Sequence, residues 1–259
     1  MQRQTLADRL DEELDTGAYA DVDASANGLQ IAETTATREI DHVAFAVDAV
    51  TATAEAAADA GADLLVTHHG VVWGGLDRVT DRTYDRVAAF TDRDLDLYVS
   101  HLPLDGHPEH GNAAGVADCL GLEDREPFGS LGPETIGQLG VAGESYTTGE
   151  LTAVLESELD HDGEGVQVLD FGPEEIETVA VVTGAGGDWL DEAVVAGADA
   201  LVTGEGEGRL YHEARESGIS VFLAGHYATE TFGVAALAEL VADWDRDLET
   251  TVLSHPTGL

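Results

Sequence analysis

The sequence AGADLLVT at residues 60–67 returns almost unchanged as AGADALVT at residues 196–203. At the same spacing Val43 matches Val179, in two hydrophobic runs that precede the two copies. In each copy an Ala-Gly pair, a common way for a helix to end, is followed by a hydrophobic run of strand length. The repeat therefore predicts that one strand–helix–strand unit occurs twice in the chain.

Strands alternate with helices along both halves of the sequence. In the first half we predict helices over residues 5–14, 53–60, 81–90 and 112–120 and strands over residues 42–47, 64–67 and 95–100. In the second half we predict strands over residues 178–183, 200–203, 220–224 and 250–253 and helices over residues 189–196, 210–217 and 228–241. Between the halves we predict strands over residues 138–141 and 166–169 and a helix over residues 148–158.

This order predicts an α/β fold that consists of two similar, duplicated lobes. We place the first lobe at residues 1–125, a short inserted segment at residues 126–175 and the second lobe at residues 176–259. In folds of this kind, ligands bind at the carboxyl ends of the strands. Polar residues that directly follow the predicted strands are therefore the candidates for a functional site.

The chain is strongly and evenly acidic. It has 52 Asp and Glu residues against 11 basic residues, all of them Arg, and a formal net charge of -41. The acids run from Asp8 to Asp247 without forming a tail, a pattern typical of proteins adapted to high salt, where repulsion is screened. No basic stripe is available to neutralise phosphates, so we expect no direct binding of nucleic acid.

Cysteine content and hydropathy exclude several other classes of protein. Cys119 is the single cysteine, which excludes an internal disulfide and argues against a thiolate metal site. The N-terminal residues form no apolar signal region, and no apolar run reaches the length of a membrane span. We therefore expect a cytoplasmic protein without a membrane partner.

Two adjacent histidines follow the strand predicted over residues 64–67. Within a strand, neighbouring side chains point to opposite faces, so His68 and His69 would not share a site there. We expect the chain to turn before Gly70 and to bring both imidazoles into one crevice. Two unrelated exposed histidines are the alternative that this pair alone leaves open.

Two further pairs combine a histidine with an acid four residues later. His226 and Glu230 fall on one face of an opening helical turn, where an acidic residue is also favoured without any metal. His101 and Asp105 have the same spacing, but Pro103 disfavours a helix at the residue before it and predicts a loop. With the adjacent histidines, the pairs offer mixed imidazole and carboxylate donors that fit Zn, Mn, Fe, Co or Ni. This is more ligands than one tetrahedral ion can bind, so the sequence predicts two ions.

Residues 184–187 read GAGG between a predicted strand and a predicted helix. Their backbone N–H groups could form a nest for a phosphate. The segment lacks the Lys-Ser/Thr of a P-loop, so a tight strand-to-helix turn is the simpler interpretation.

Four motifs together resemble one known family. They are THHG at residues 67–70, HLPLD at residues 101–105, VTGE at residues 202–205 and GHYATE at residues 225–230. The set is similar to the motifs of the Nif-three-like dinuclear-metal-centre proteins, which are described as homologues of GTP cyclohydrolase I type 2. This resemblance implies two similar α/β lobes, a metal pair in the cleft between them and a toroidal homohexamer built from trimers.

The resemblance also implies which residues bind the two ions. Carried over position by position, the metal ligands are His68, His69, Asp105, His226 and Glu230. Glu230 is the implied bridge between the ions. His101 and Glu205 lie beside the implied cleft, where they would support the ligands or transfer protons.

The implied activity is that of a metal-dependent hydrolase acting on a small molecule, a purine nucleotide. In a GTP cyclohydrolase reaction, two divalent ions lower the pKa of a water molecule, and hydrolysis opens the guanine imidazole ring and releases formate. A phosphoesterase or pyrophosphatase uses similar metal pairs and is a second hypothesis. A non-catalytic protein that stores, inserts or senses metal is a third.

Overall fold

The computed structural model describes residues 1–33 and 37–259. The protein is a mixed α/β protein with two sheets, and the chain divides into two compact units. Unit 1 comprises Met1–Leu104 and Gly233–His255, and unit 2 comprises Asp105–Phe232 and Pro256–Leu259. The lobe borders that we placed after residues 125 and 175 stay a prediction. In the described part of the chain, no helix combines the length and the apolarity that a membrane span requires.

The predicted helices and strands occur in the predicted order, and the structure adds strands at Gly28–Ile31 and Leu122–Leu131 and a helix at Leu102–Gly106. The first half contains α1 (Arg3–Glu13), β1 (Gly28–Ile31), β2 (His42–Asp48), α2 (Thr51–Asp59), β3 (Leu64–His69), α3 (Asp81–Thr91), β4 (Asp96–Val99), α4 (Leu102–Gly106) and α5 (Asn112–Cys119). The middle contains β5 (Leu122–Leu131), β6 (Glu134–Tyr146), α6 (Thr148–Glu158) and β7 (Gln167–Leu169). The remainder contains β8 (Ile176–Val181), α7 (Leu190–Ala196), β9 (Ala200–Thr203), α8 (Leu210–Ser217), β10 (Ser220–Leu223), α9 (His226–Thr229), α10 (Thr231–Trp244) and β11 (Glu249–Val252).

The sheet of unit 1 has the strand order β1-β4-β3-β2-β11. Strands β4, β3, β2 and β11 run parallel, and β1 pairs with β4 antiparallel at one edge. The predicted strand at residues 250–253 is confirmed as β11, at the other edge. A buried cluster formed by Ala54, Ala57, Leu65, Phe90 and Leu97 with their neighbours packs helix residues against the sheet. Burial on both faces explains why β2 is almost continuously apolar.

The sheet of unit 2 has the strand order β5-β6-β8-β9-β10-β7. Strands β8, β9 and β10 are parallel, whereas β5, β6 and β7 pair antiparallel with their neighbours. The sequence predicted only residues 138–141 of the β5–β6 hairpin. The strand β5 has a mostly polar sequence, LEDREPFGSL, so no hydrophobic alternation reveals it.

The repeated glycine and aspartate have the same structural role in both units. Gly61 and Gly197 have φ angles of +81° and +79° just after α2 and α7, in the left-handed region that glycine adopts without strain. One carboxylate oxygen of Asp63 accepts hydrogen bonds from two successive backbone N–H groups at the start of β2. Asp199 binds two successive N–H groups of β8 in the same way. The repeat thus encodes one strand–helix–strand unit twice, as predicted.

Residues 102–106 form the short helix α4 instead of the predicted loop. Pro103 lies in the first turn of this helix, where a backbone N–H has no intrahelical partner to lose. The prediction of a loop was wrong because proline disfavours a helix on its N-terminal side and not on its C-terminal side. Asp105 is consequently a helical residue.

Cys119 lies at the end of α5 and is expected to react slowly with thiol reagents. Burial, with the nearby carboxylates of Glu158 and Asp118, raises the pKa of this thiol to about 11. The thiolate is the reactive form, so alkylation near neutral pH should be about 100-fold slower in the folded protein than in the denatured chain. Iodoacetamide labelling followed by mass spectrometry checks this, and equal rates in the two states would contradict it.

Candidate metal centre

Two histidines form the end of β3 in unit 1. The prediction that the chain turns before Gly70 to bring the two imidazoles together is wrong, because β3 continues through His68 and His69 and pairs with β2 as far as Asp48. His68 is fully buried, and the ring centroids of His68 and His69 lie 4.6 Å apart. Both imidazoles therefore reach the carboxyl end of the strand while it is still extended.

His101 adds a third imidazole at this end of the sheet. It follows β4, the strand beside β3, and its ring centroid lies 4.9 Å from that of His68 and 5.7 Å from that of His69. The ligand atoms that the three side chains offer all lie within 4.8 Å of one another. Trp73 packs edge-on against the ring of His101, with centroids 4.8 Å apart, and covers one side of the cluster. Unit 1 thus brings three predicted site residues together.

Each of the three rings has an oxygen atom within hydrogen-bond distance of its Nδ1 atom. His68 Nδ1 lies 3.1 Å from the carbonyl oxygen of Ser100. His69 Nδ1 lies 2.9 Å from Asp48 Oδ1, and His101 Nδ1 lies 2.9 Å from Asp23 Oδ1. Carbonyl and carboxylate oxygens only accept hydrogen bonds, so each Nδ1 carries the hydrogen and donates. In the neutral ring the lone pair is then on Nε2, the arrangement found in metal-binding histidines.

In unit 2, His226 and Glu230 lie at the start and just after the end of α9. His226 Nε2 lies 3.2 Å from Glu230 Oε1, and His226 Nδ1 lies 3.0 Å from Glu205 Oε1. Gly225 precedes the helix with a φ of +89°, which a glycine adopts readily. The predicted pair at spacing four is therefore in contact, and the predicted neighbour Glu205 orients the same ring.

The two carboxylates also decide the charge of His226. Burial lowers the pKa of His226, but the hydrogen bonds and charges of Glu230 and Glu205 outweigh burial and raise it to about 9. Without a bound cation, this imidazole is therefore protonated at neutral pH. The pair of carboxylates attracts positive charge at this point of unit 2.

Asp105 is buried in unit 2, and one of its oxygens is fixed by two donors. Asn112 Nδ2 donates to Asp105 Oδ1 at 2.9 Å, and Thr183 Oγ1 donates to the same atom at 3.1 Å. These hydrogen bonds orient the carboxylate and offset the unfavourable burial of a charge. Fixed orientation of this kind is typical of a carboxylate that binds a cation.

The residues that hold these side chains were not found by sequence reasoning. They are Asp23, Asp48, Ser100, Asn112 and Thr183. Each is an ordinary polar residue outside the four motifs, and the loop with Asp23 is far in sequence from His101. A carboxylate or amide gains this role only when the fold brings it beside a histidine, so no pattern in the sequence marks it.

The GAGG segment has less capacity for phosphate than its sequence suggests. The N–H of Gly184 donates to Thr229 Oγ1 at 3.2 Å, and the N–H of Gly186 donates to Thr203 Oγ1 at 2.9 Å. Both amides are therefore engaged within unit 2. The segment serves as the tight strand-to-helix turn that the simpler interpretation predicted.

The donor set fits a divalent transition metal. Imidazole nitrogens with fixed Nδ1–H groups and oriented carboxylates are ligands that Zn, Mn, Fe, Co and Ni share. The fold and these residues together define a candidate metal-binding α/β protein.

The chain belongs to the Duf34/NIF3 (NGG1p interacting factor 3) family, which it matches over residues 1–257. A relative from Halobacterium salinarum, named GTP cyclohydrolase 1 type 2 homolog, is 55% identical over 98% of each chain. A relative from Pyrococcus abyssi with the same name is 40% identical over 100% of both chains. The crystal structure of TTHA1606 from Thermus thermophilus has a TM-score of 0.89 at 33% identity and covers 100% of both chains. The family resemblance and the α/β fold class are thereby confirmed.

Proposed function

We propose that the protein is a metal-dependent hydrolase that opens the guanine imidazole ring of GTP. The observation that carries the proposal is the common orientation of three imidazoles, those of His68, His69 and His101. Each places Nδ1 on an acceptor oxygen and leaves Nε2 for a metal or a proton. The shared name of relatives that cover the whole chain, GTP cyclohydrolase 1 type 2 homolog, supports the choice of substrate.

The proposed cofactor is a pair of divalent ions, each of them Zn, Mn, Fe, Co or Ni. The proposed ligands are His68, His69, Asp105, His226 and Glu230, with Glu230 as the bridge. Bound divalent ions lower the pKa of water and stabilise negative charge. The ligands can serve because their rings and carboxylates are already oriented by hydrogen bonds, so little ordering is needed on binding.

In the proposed reaction, side chains of the protein transfer protons and orient one another. In the hydrolysis, a water oxygen bonds to the imidazole carbon of guanine and a carbon–nitrogen bond of the ring breaks. The proton lost by the water returns to the released nitrogen, and a second water frees the carbon as formate. We assign the proton transfer to His101, whose Nε2 is the accepting atom, and the orientation of His226 to Glu205.

We also propose the substrate class, the cellular location and the oligomeric state of the enzyme. It takes a small-molecule substrate, a purine nucleotide, and needs neither a membrane nor a nucleic acid partner. As the family resemblance implies, it forms a homohexamer in the cytoplasm. Light scattering on the purified protein should give six times the chain mass, and a monomer or dimer at all concentrations would contradict the hexamer.

The proposal is tested by GTP turnover with protein loaded with Mn, Zn or Fe in molar KCl. Formate and the pterin precursor are quantified for the wild type, for Glu230→Gln and for Glu216→Gln, a matched control on the exposed face of α8. We expect Glu230→Gln to lower turnover and metal affinity by about 100-fold, because the neutral amide is a poor ligand for a cation. The control should behave like the wild type.

Two outcomes would contradict different parts of the proposal. Two bound ions without product from GTP would keep the metal centre and favour phosphoester hydrolysis or metal handling. A protein that binds no metal in the wild type would overturn the proposed function altogether.

A further inference from the structure

Asp23 is a buried carboxylate that the family motifs do not include. It lies in the loop before β1, and its side chain is only 1% exposed. The Oδ1 atom accepts hydrogen bonds from His101 Nδ1 at 2.9 Å and from the Ser25 N–H at 2.8 Å. The Oδ2 atom accepts from Asn27 Nδ2 at 2.8 Å and from the Leu102 N–H at 3.0 Å. Every partner is therefore a donor, and both oxygens are used.

Asn27 holds the same histidine from a second direction. Its Oδ1 atom accepts the backbone N–H of His101 at 2.8 Å, while its Nδ2 donates to Asp23. The loop thus accepts hydrogen bonds from the ring of His101, from the backbone N–H of His101 and from the backbone N–H of Leu102. This closed arrangement leaves the ring of His101 little freedom to rotate or to flip.

The carboxylates that accept from Nδ1 of His69 and of His226 are more exposed than Asp23. The side chain of Asp48, beside His69, is 29% exposed, and that of Glu205, beside His226, is 57% exposed. Water can compete for those hydrogen bonds, so they are weaker restraints than the bond between Asp23 and His101. Of Asp23, Asp48 and Glu205, Asp23 is therefore the carboxylate that restrains its imidazole most firmly.

We propose that Asp23 is a positioning residue that holds His101 as the tautomer with hydrogen on Nδ1 and directs Nε2 toward His68 and His69. The proposal rests on the proposed function in that Nε2 of His101 is the proton acceptor of the hydrolysis. Asp23 touches neither substrate nor metal in this scheme. It acts through the ring of His101 alone.

Asp23 must be ionised for this role, and its surroundings favour the ionised form. Burial raises the pKa of Asp23, but hydrogen bonds from His101, Asn27 and Ser25 and the charge of His101 together lower it below its ordinary value. An asparagine at this position would turn its N–H₂ group either toward Asn27 and Leu102 or toward Ser25 and His101. Of these donors, only the imidazole can become an acceptor without breaking another hydrogen bond, by moving its hydrogen from Nδ1 to Nε2. We therefore expect the N–H₂ group to face His101.

The test begins with the tautomer itself. Zinc-loaded protein with ¹⁵N-labelled histidine is studied by NMR at about pH 8, above the ordinary histidine pKa. His101→Gln identifies the signal of His101. We expect the wild type to carry hydrogen on Nδ1 and Asp23→Asn to shift the ring toward the Nε2–H form. A wild-type ring with hydrogen on Nε2 would overturn the proposal, whatever the variants do.

Kinetics then separate positioning from a merely structural effect. Asp23→Asn should lower kcat by about 100-fold with little change in KM, since a wrong tautomer affects the transition state more than substrate binding. In a His101→Gln background, the same substitution should change kcat no further. Equal losses in both backgrounds would show that Asp23 only braces the loop, and would overturn the positioning role.

A matched control lies in the same loop. Asp21 is exposed, and Asp21→Asn removes the same charge without touching His101, so its tautomer and kcat should match the wild type. The NMR result does not depend on turnover. If GTP is not a substrate, the tautomer still decides the proposal, and if GTP is hydrolysed with the wrong tautomer, only the proposal about Asp23 fails.

Discussion

In dilute buffer the protein is expected to be unfolded, and in molar KCl it is expected to be folded. Its formal net charge is -41, and among the described residues the acids that are buried as whole residues are Asp96, Asp105 and Glu230. The screening length is about 30 Å in 0.01 M salt and about 3 Å in 1 M salt, so surface carboxylates repel across the whole molecule only in dilute buffer. This repulsion should remove all of the ~5–15 kcal/mol that stabilises an ordinary domain. Circular dichroism against temperature over a KCl series measures the effect.

Two observations identify screening as the cause. Most of the gain in melting temperature should be complete by about 1 M KCl, because little repulsion remains to be screened above that concentration. Sucrose stabilises folded proteins by exclusion from their surface but does not screen charge, so it should not replace KCl. The same melting temperature in dilute buffer and in molar KCl would show that the expectation is wrong.

The fold was largely predictable because its pattern depends on hydrophobic periodicity and on a repeated segment. The helices over residues 148–158 and 210–217 and the strand over residues 200–203 have the predicted bounds. The repeat itself was predictable because Asp63 and Asp199 fix the same local connection in both units. The β5–β6 hairpin was mostly missed because its polar faces leave no periodic signal.

The sequence singles out the candidate metal ligands, but it does not show how their side chains are held. His68 and His69 were expected to need a turn, whereas the structure brings both rings together at the end of an extended β3. Alternation describes the directions of Cα–Cβ bonds, and two long side chains at a strand end can still converge. Asp23 and Asp48 gain their roles from tertiary structure, which a single sequence does not display.

Gly184→Ala is expected to disrupt the part of unit 2 that contains His226 and Glu230. Gly184 has a φ of +58°, and an added Cβ would lie 2.3 Å from Glu230 Oε1 and 3.2 Å from His226 Nε2. Glu230 is buried and cannot move its carboxylate into solvent, so it must shift and break its contact with His226. Metal affinity should fall by about 10- to 100-fold. The left-handed backbone should in addition lower the free energy of unfolding by about 1–2 kcal/mol. Chelator competition measures the affinity, and chemical denaturation measures the stability.

Gly197→Ala separates the clash from the strain. Gly197 has a φ of +79°, but no atom outside its own chain neighbours lies within 4 Å of the position that a Cβ would take. This variant should lose about the same 1–2 kcal/mol of stability from the left-handed backbone and keep the wild-type metal affinity. If Gly184→Ala binds metal as tightly as Gly197→Ala, the carboxylate of Glu230 is not a ligand. A selective loss in Gly184→Ala would instead tie metal binding to a carboxylate whose position depends on the absence of one methyl group.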